Sequence, residues 1–412
     1  MTQTSPSSTA QLIAARLPDH ALPRDLYCDQ QAFRDDLEQI WYREWLFAGP
    51  SCELPKTGSY ITMQVGDYPV IVTRGADGRI RAFHNVCRHR GQRLCAKSNG
   101  TNPKLVCPYH QWTYDLDGKL LFARDMGPDF DPSKYSLKSV HCVDLKGMIF
   151  ICLAAVPPAI NELAANLMRY VAPSGLADAK VAFTSTIVEK GNWKLVMENN
   201  RECYHCGGSH PSLCRTYSDD PLMTVMEGPN SASPEILSHW DRCDAEGLPA
   251  RFVNAPDMQW RMARVPLMDH QESFTMSGKA AVSRRMGSMP WNDAGSLMFY
   301  HFPSSWNHFL ADHAIVFRIL PISPTETQVT TNWLVHKDAV EGVDYDLETL
   351  TRVWLNTNDE DRQVVEENQA GILSPAYEPG PYSPSQEAGV IHLIDWYCGL
   401  MSARLGARMA AE

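Results

Sequence analysis

Two short segments restrict this chain more than any other feature: Cys87-Arg88-His89 and Cys107-Pro108-Tyr109-His110. They read C-x-H and C-x2-H, with 17 residues (positions 90 to 106) between them. Two thiolates and two imidazoles can hold zinc, but zinc fingers pair cysteine with cysteine and histidine with histidine. Here each half contributes one of each. That division suits a [2Fe–2S] cluster with Cys87 and Cys107 on one iron and His89 and His110 on the other. Replacing thiolates by imidazoles leaves less negative charge on the cluster and raises its potential, so such a centre relays electrons. Cys95, which lies between the two segments, is the alternative thiolate.

The surrounding sequence has the period of a small β domain. After Pro50, apolar Ile61, Met63 and Val65 interleave with Tyr60, Thr62 and Gln64, and Val70 and Val72 follow. Asp77-Gly78 and Asp117-Gly118 are two-residue hairpin signals. Before it, Gln30 to Leu46 shows helical spacing of Phe33, Leu37, Ile40, Trp41 and Trp45, with Asp29 placed to cap the helix. Pro157-Pro158 marks a linker. We therefore expect a lead-in with one helix over residues 1–45, a β domain over 46–156 and a larger domain over 157–412. Cys142 and Cys152 read as buried strand cysteines.

A second polar cluster opens the larger domain. Ala182 to Glu189 alternates as a strand, and Asn192-Trp193 starts a helix. In ENNRECYHCGGSH, Glu198, Glu202 and His205 fall at i, i+4 and i+7, so a continuous helix projects them from one face. Gly207 and Gly208 then end the helix and let the chain turn, bringing His210 back beside His205. Burying imidazoles and carboxylates together is costly without a metal or a reaction to use them. A divalent metal held by two neutral imidazoles also takes an anionic ligand. The stretch from Leu347 to Gly371 reads as one long helix whose apolar stripe runs through Leu350, Trp354, Thr357, Val364 and Val365. Asp361 sits near the middle of that stripe, Asp359 on the opposite side and Glu360 just outside the edge.

At these residues the chain resembles the Rieske non-haem iron oxygenases. HNVCRHRG and CPYHQWTYDLDG look like that family's two cluster loops, and NWKLVMENNRECYHCGGSHP looks like its mononuclear-iron motif. Gln111 departs from the family, in which many members carry glycine or alanine. The resemblance implies an α+β chain: an all-β Rieske [2Fe–2S] domain after a helical lead-in, then a catalytic domain of helix-grip type built on an antiparallel sheet. It implies His205, His210 and Asp361 as iron ligands. It also implies that Glu202 bridges to the Rieske histidine of a neighbouring subunit in a head-to-tail homotrimer, with Glu198 behind the site. Glutamate at 202, within RECYHC, resembles the branch acting on quaternary ammonium compounds, as do KDAVEGVDYDLETL and ILSPAYEPGPYSPSQE.

That branch implies oxidation of an N-methyl group with O2, release of formaldehyde, and a betaine-type substrate, stachydrine first and glycine betaine next. The alternatives are carnitine, an aromatic substrate, or a non-catalytic electron carrier. Electrons from NAD(P)H would arrive through a separate flavin and iron–sulfur reductase, since the chain has no GxGxxG or P-loop of its own. A quaternary ammonium is bound through aromatic faces. Trp240, Trp260, Trp291, Phe299, Tyr300, Phe302, Trp306 and Phe309 are the candidate rings, and Arg261, Arg264, His301 and His308 the candidate partners of a carboxylate. The formal charge of -11 argues against nucleic acid and anionic membranes. No run of about 18 apolar residues appears, and the N-terminus lacks a signal pattern. Twelve cysteines then suggest a reducing cytoplasm, with thiols free or bound to metal.

Overall fold

The alternation after Pro50 becomes a seven-stranded antiparallel sheet in the computed structural model, which describes residues 8–220 and 232–411. Its strands are β1 (Leu46–Pro50), β2 (Ser59–Val65), β3 (Tyr68–Arg74), β4 (Ile80–His84), β5 (Asn99–Thr101), β9 (Ser139–Leu145) and β10 (Met148–Cys152). They run in the order β1-β10-β9-β4-β3-β2-β5. A smaller three-stranded sheet, β6 (Leu105–Val106), β7 (Thr113–Tyr114) and β8 (Leu120–Phe122), projects from it. Asp77-Gly78 and Asp117-Gly118 lie in the β3–β4 and β7–β8 connections, as their hairpin chemistry requires. Cys152 is buried on β10, whereas Cys142 on β9 is only half-buried.

The second sheet is also antiparallel and seven-stranded, in the order β11-β17-β16-β15-β14-β13-β12. It comprises β11 (Ala179–Glu189), β12 (Val253–Asn254), β13 (Trp260–Val265), β14 (Ser296–His301), β15 (Ser305–Phe309), β16 (His313–Ser323) and β17 (Glu326–His336). Burial along β13 to β16 is nearly continuous rather than alternating, because both faces are covered.

The helices are α1 (Thr9–Ala14), α2 (Asp25–Cys28), α3 (Gln30–Asp36), α4 (Asn161–Tyr170), α5 (Trp193–Asn199), α6 (Cys206–Ser209), α7 (Pro234–Ala245), α8 (Leu347–Ile372) and α9 (Ala388–Ala411). Asp29 caps α3 by accepting from the N–H groups of Gln31 and Ala32, and α3 continues as a wider π-type turn, Leu37–Trp41. α8 lies against the sheet, with Asn358 donating to Thr331 on β17 at 3.0 Å. The architecture is the α+β, helix-grip arrangement expected. The lead-in packs on the C-terminal half: Asp36, fully buried, accepts from Trp193, Lys194 and Tyr397. No described helix is long and apolar enough to cross a membrane.

Candidate active site

The two cysteine–histidine loops have the same backbone design. Cys87 N–H donates to the Gln92 carbonyl and Cys107 N–H to the Trp112 carbonyl, each at 2.8 Å. The residue four after each cysteine, Gly91 or Gln111, returns its N–H to that cysteine's carbonyl and has a left-handed backbone, φ 81° and 59°. Glycine adopts that conformation without penalty, whereas Gln111 holds it with a side chain. That is the physical reason a glycine suits position 111.

Cys87 and Cys107 are buried, while His89 is exposed and His110 half-buried, with ring centroids 4.7 Å apart. His89 stacks on Trp112, and Nδ1 of His110 is a buried nitrogen without a partner among the described residues. Inner thiols, outer imidazoles and an orphaned Nδ1 fit a [2Fe–2S] cluster whose histidine-bound iron faces outward. Tyr114 Oη lies 3.3 Å from Cys87 Sγ. Cys95 faces Tyr60 and Asn102 instead.

The helix expected through His205 breaks early. α5 ends at Asn199, since Asn199-Asn200 are poor helix formers, and Glu202 Oε2 then accepts from the backbone N–H groups of Tyr204 and His205. A continuous helix would have given those N–H groups to carbonyls one turn back. Glu198, Glu202 and His205 therefore do not share one face. Glu198 turns towards the lead-in, accepting from Tyr27 at 2.8 Å and Tyr382 at 3.1 Å, and burial pushes its carboxyl up to about 7. It does not back the histidines. Gly207 and Gly208 do not end a helix either. They form α6, and that single turn carries His210 back to His205.

At its end, His205 Nε2 and His210 Nε2 are 2.9 Å apart, and Asp361 Oδ1 from α8 lies 3.4 Å from the first and 3.0 Å from the second. Ligands about 2.1 Å from one ion at right angles sit about 3 Å apart, so this triangle has the dimensions that the face of a two-histidine, one-carboxylate site requires. Each ring is oriented from behind: His205 Nδ1 by Glu202 Oε1 at 2.6 Å and His210 Nδ1 by Glu360 Oε2 at 2.9 Å. A carboxylate on Nδ1 holds the proton there and leaves the Nε2 lone pair for a metal. Burial pushes His205 down, but Asp361 and Glu202 outweigh it and hold the ring at about 9. Asp361 Oδ1 is buried and faces the two imidazole Nε2 atoms. Behind it, Glu189 is buried and pushed up to about 8 by desolvation and then by the charge of Asp361.

Nothing in residue type or period marks Glu360, Glu189 or the local cysteine pair as parts of the site. Cys203 and Cys206, expected as free or metal-bound thiols, form a disulfide. The turn brings their Cα atoms to 4.9 Å, within disulfide range.

The cavity beside the triangle is bordered by Asn199, Asn200, Glu202, Leu213, Tyr217, Tyr300, His308 and Trp354. Of the eight candidate rings, only Tyr300 borders it among the described residues. Trp240 is a core residue whose Nε1 donates to the Arg264 carbonyl at 2.8 Å, and Trp306 stacks on Phe317. Arg264 donates to the backbone carbonyls of Gly295 and Phe309, and His301 borders a separate cavity. Trp354 precedes Asp361 by two helical turns on the same stripe, and that is the signal for its place at the site. Burial pushes His308 down to about 3, so it presents a neutral ring.

A β domain carrying a two-cysteine, two-histidine cluster site, joined to a gripped sheet with a two-histidine, one-carboxylate face, defines a two-centre iron oxygenase. The Rieske [2Fe–2S] domain model matches residues 44–141, and the ring hydroxylating alpha subunit (catalytic domain) model matches residues 176–403. The chain belongs to the ring-hydroxylating oxygenase α-subunit family, the Rieske non-haem iron oxygenases. Its cofactors are accordingly a Rieske [2Fe–2S] cluster and a mononuclear iron.

The glycine betaine monooxygenase oxygenase subunit of Pseudomonas aeruginosa is 49% identical over 98% of this chain and 94% of its own length. That of Chromohalobacter salexigens is 50% identical over 97% and 90%. The carnitine monooxygenase oxygenase subunit of Escherichia coli K12 is 32% identical over 50% of this chain and 56% of its own. Among solved structures, a quaternary ammonium Rieske monooxygenase shares the fold with a TM-score of 0.72 at 22% identity, covering 95% of this chain and 98% of that one.

Proposed function

We propose that this chain is the oxygenase component of an N-demethylase for betaine-type quaternary ammonium compounds, glycine betaine first and stachydrine next. The observation that carries the reading is the His205–His210–Asp361 triangle opening on a cavity walled by Trp354, Tyr217 and Tyr300. The glycine betaine oxygenase subunits at about half identity support the substrate class and its order.

In this reading Cys87, His89, Cys107 and His110 would hold the cluster, and His205, His210 and Asp361 the iron. When bound, the iron supplies activation of O2 for oxidation of a C–H bond. The protein's own work is positioning. Glu202 and Glu360 hold the two imidazoles in the metal-binding tautomer. Trp354 offers an aromatic face to a trimethylammonium group, which has no N–H to donate. One N-methyl group, O2, two electrons and two protons yield an N-hydroxymethyl ammonium and water; its C–N bond then breaks as the hydroxyl loses its proton, giving formaldehyde, the tertiary amine and one proton.

The electrons would come from NAD(P)H through a separate reductase, and the route to the iron would cross between copies in a head-to-tail homotrimer, through Glu202. Two exposed surfaces support that route. Val106, Tyr109, Leu121 and Phe122 stand exposed around the cluster loops, and Tyr204, 65% exposed, stands beside Glu202. Formaldehyde release with a reductase supplied, across glycine betaine, stachydrine, carnitine and an aromatic substrate, tests the reading. Release from the betaines above all is expected; oxidation of the aromatic alone would overturn it.

A further inference from the structure

Trp260 and His301 have the chemistry of substrate contacts but stand away from the iron. They border a cavity of about 450 Å3 that shares no described residue with the one beside the triangle. It lies where the lead-in, the linker after β10, the β12–β13 turn and α9 meet. Three of these bring a tryptophan: Trp45 ahead of β1, Trp260 on β13 and Trp396 on α9, each 5–6% exposed. Trp45 spends its Nε1 hydrogen on the Pro158 carbonyl at 2.9 Å, and Trp260 pairs with His301 across β13 and β14. No cation among the described residues lies over any of these three rings. Packing alone would close the junction, because a void forfeits contacts along its lining.

The border carries an excess of negative charge. Its one cation among the described residues, Arg404, is paired with Glu44. Glu162 and Asp257 border the same cavity, are exposed, and form no ion pair with a described residue. His301 is buried, its Nδ1 has no partner among the described residues, and burial pushes its ring down to about 3. It therefore adds a neutral polar atom and no opposing charge. A cation that keeps N–H groups needs acceptors around it, and indole walls supply none. A methylated ammonium needs none and is held by aromatic faces and diffuse negative charge.

We propose that this cavity is a second binding site, separate from the iron, for a small methylated ammonium ion. Trp45, Trp260 and Trp396 form its walls, and Glu162 and Asp257 draw the ion to its mouth. The volume is that of a small-molecule site. His301 Nδ1 meets a hydroxyl or other polar substituent of the ion, as donor or acceptor according to its tautomer. The site stands independently of the betaine reading, since no residue of the iron cavity takes part in it.

The test is calorimetric titration of the iron-loaded, full-length protein with choline and with dimethylbutanol, its uncharged carbon isostere. Wild type is compared with Trp354→Leu, which alters the iron cavity, and with Trp260→Leu and the double variant Glu162→Lys/Asp257→Lys. Both residues of the double variant are exposed, so it decides the question even where Trp260→Leu fails to fold. Cluster absorbance and iron content report on folding. Choline should show a saturable binding event that Trp354→Leu leaves in place. Trp260→Leu and the double variant should each weaken that event by about tenfold or more, and dimethylbutanol should bind at least as weakly as choline does in those variants. The site is overturned by absence of saturable choline binding in wild type or by its complete loss in Trp354→Leu. Equal binding of the isostere, or unweakened binding in the double variant, also overturns it. Formaldehyde release decides the demethylase reading separately, whichever way these titrations fall.

Discussion

Substituting Glu202 by glutamine probes both roles of that side chain. Its Oε1 lies 2.6 Å from His205 Nδ1, and its Oε2 serves the N–H groups of Tyr204 and His205. Glutamine has one acceptor oxygen and one NH2 group. If the oxygen keeps the backbone N–H groups, the NH2 faces Nδ1, which must then accept; the ring proton moves to Nε2, the atom that faces His210 and Asp361. Losing a carboxylate behind a metal-binding histidine weakens metal affinity roughly 10- to 100-fold, or about 1.4–2.7 kcal/mol. If the oxygen turns to the ring instead, two backbone donors face an amide NH2, at about 1–3 kcal/mol. Glu360→Gln is the matched control, since Glu360 performs the same task at His210 Nδ1, 2.9 Å away. Iron retention under chelator, and turnover with reductase before and after restoring iron, separate the two. Both variants should lose iron more readily. At saturating iron Glu360→Gln should recover turnover, while Glu202→Gln should stay severely slowed because electrons no longer reach the iron. Full recovery of Glu202→Gln would refute the bridge.

Tyr114→Phe removes a hydroxyl 3.3 Å from Cys87 Sγ. A donor to a cluster sulfur favours the more negative, reduced state, so its loss should lower the midpoint potential by roughly 40–60 mV in a redox titration; an unchanged potential would show that the contact does not tune the cluster. Glu198, raised from 4.5 to about 7, keeps a proton when folded that it has released when unfolded. Wild type should therefore lose stability as pH rises from about 4.5 to 7, by on the order of 3 kcal/mol, and level off above. Denaturant midpoints of Glu198→Gln should lack that slope; parallel curves for the two proteins would sink the assignment.

What could be read without a structure was what residue type and period alone decide. The division of cysteine and histidine between two loops excluded a zinc finger, and a lone carboxylate on an apolar helical stripe pointed to Asp361. Geometry that depends on backbone competition was not readable. Counting i, i+4, i+7 assumes an unbroken helix, but the Glu202 carboxylate takes the N–H groups that helix needed. Glu360 lay outside the stripe, yet its longer side chain reaches His210. Trp354 shares the stripe with core residues, and only its spacing of two helical turns from Asp361 sets it apart from them. Nothing in the sequence around Arg201 marks its place behind Tyr300, which comes from β14, about a hundred residues away in sequence.

If His205, His210 and Asp361 hold an iron separate from the Rieske cluster, removing one ligand should remove that iron and leave the cluster intact. Iron content per chain, measured with the cluster's absorbance on wild type and Asp361→Ala, tests it most directly. About three irons per chain in wild type and about two in Asp361→Ala, with the Rieske spectrum unchanged and formaldehyde release abolished, is the predicted result. Two irons in both proteins, or three in Asp361→Ala after dialysis against chelator, would contradict it.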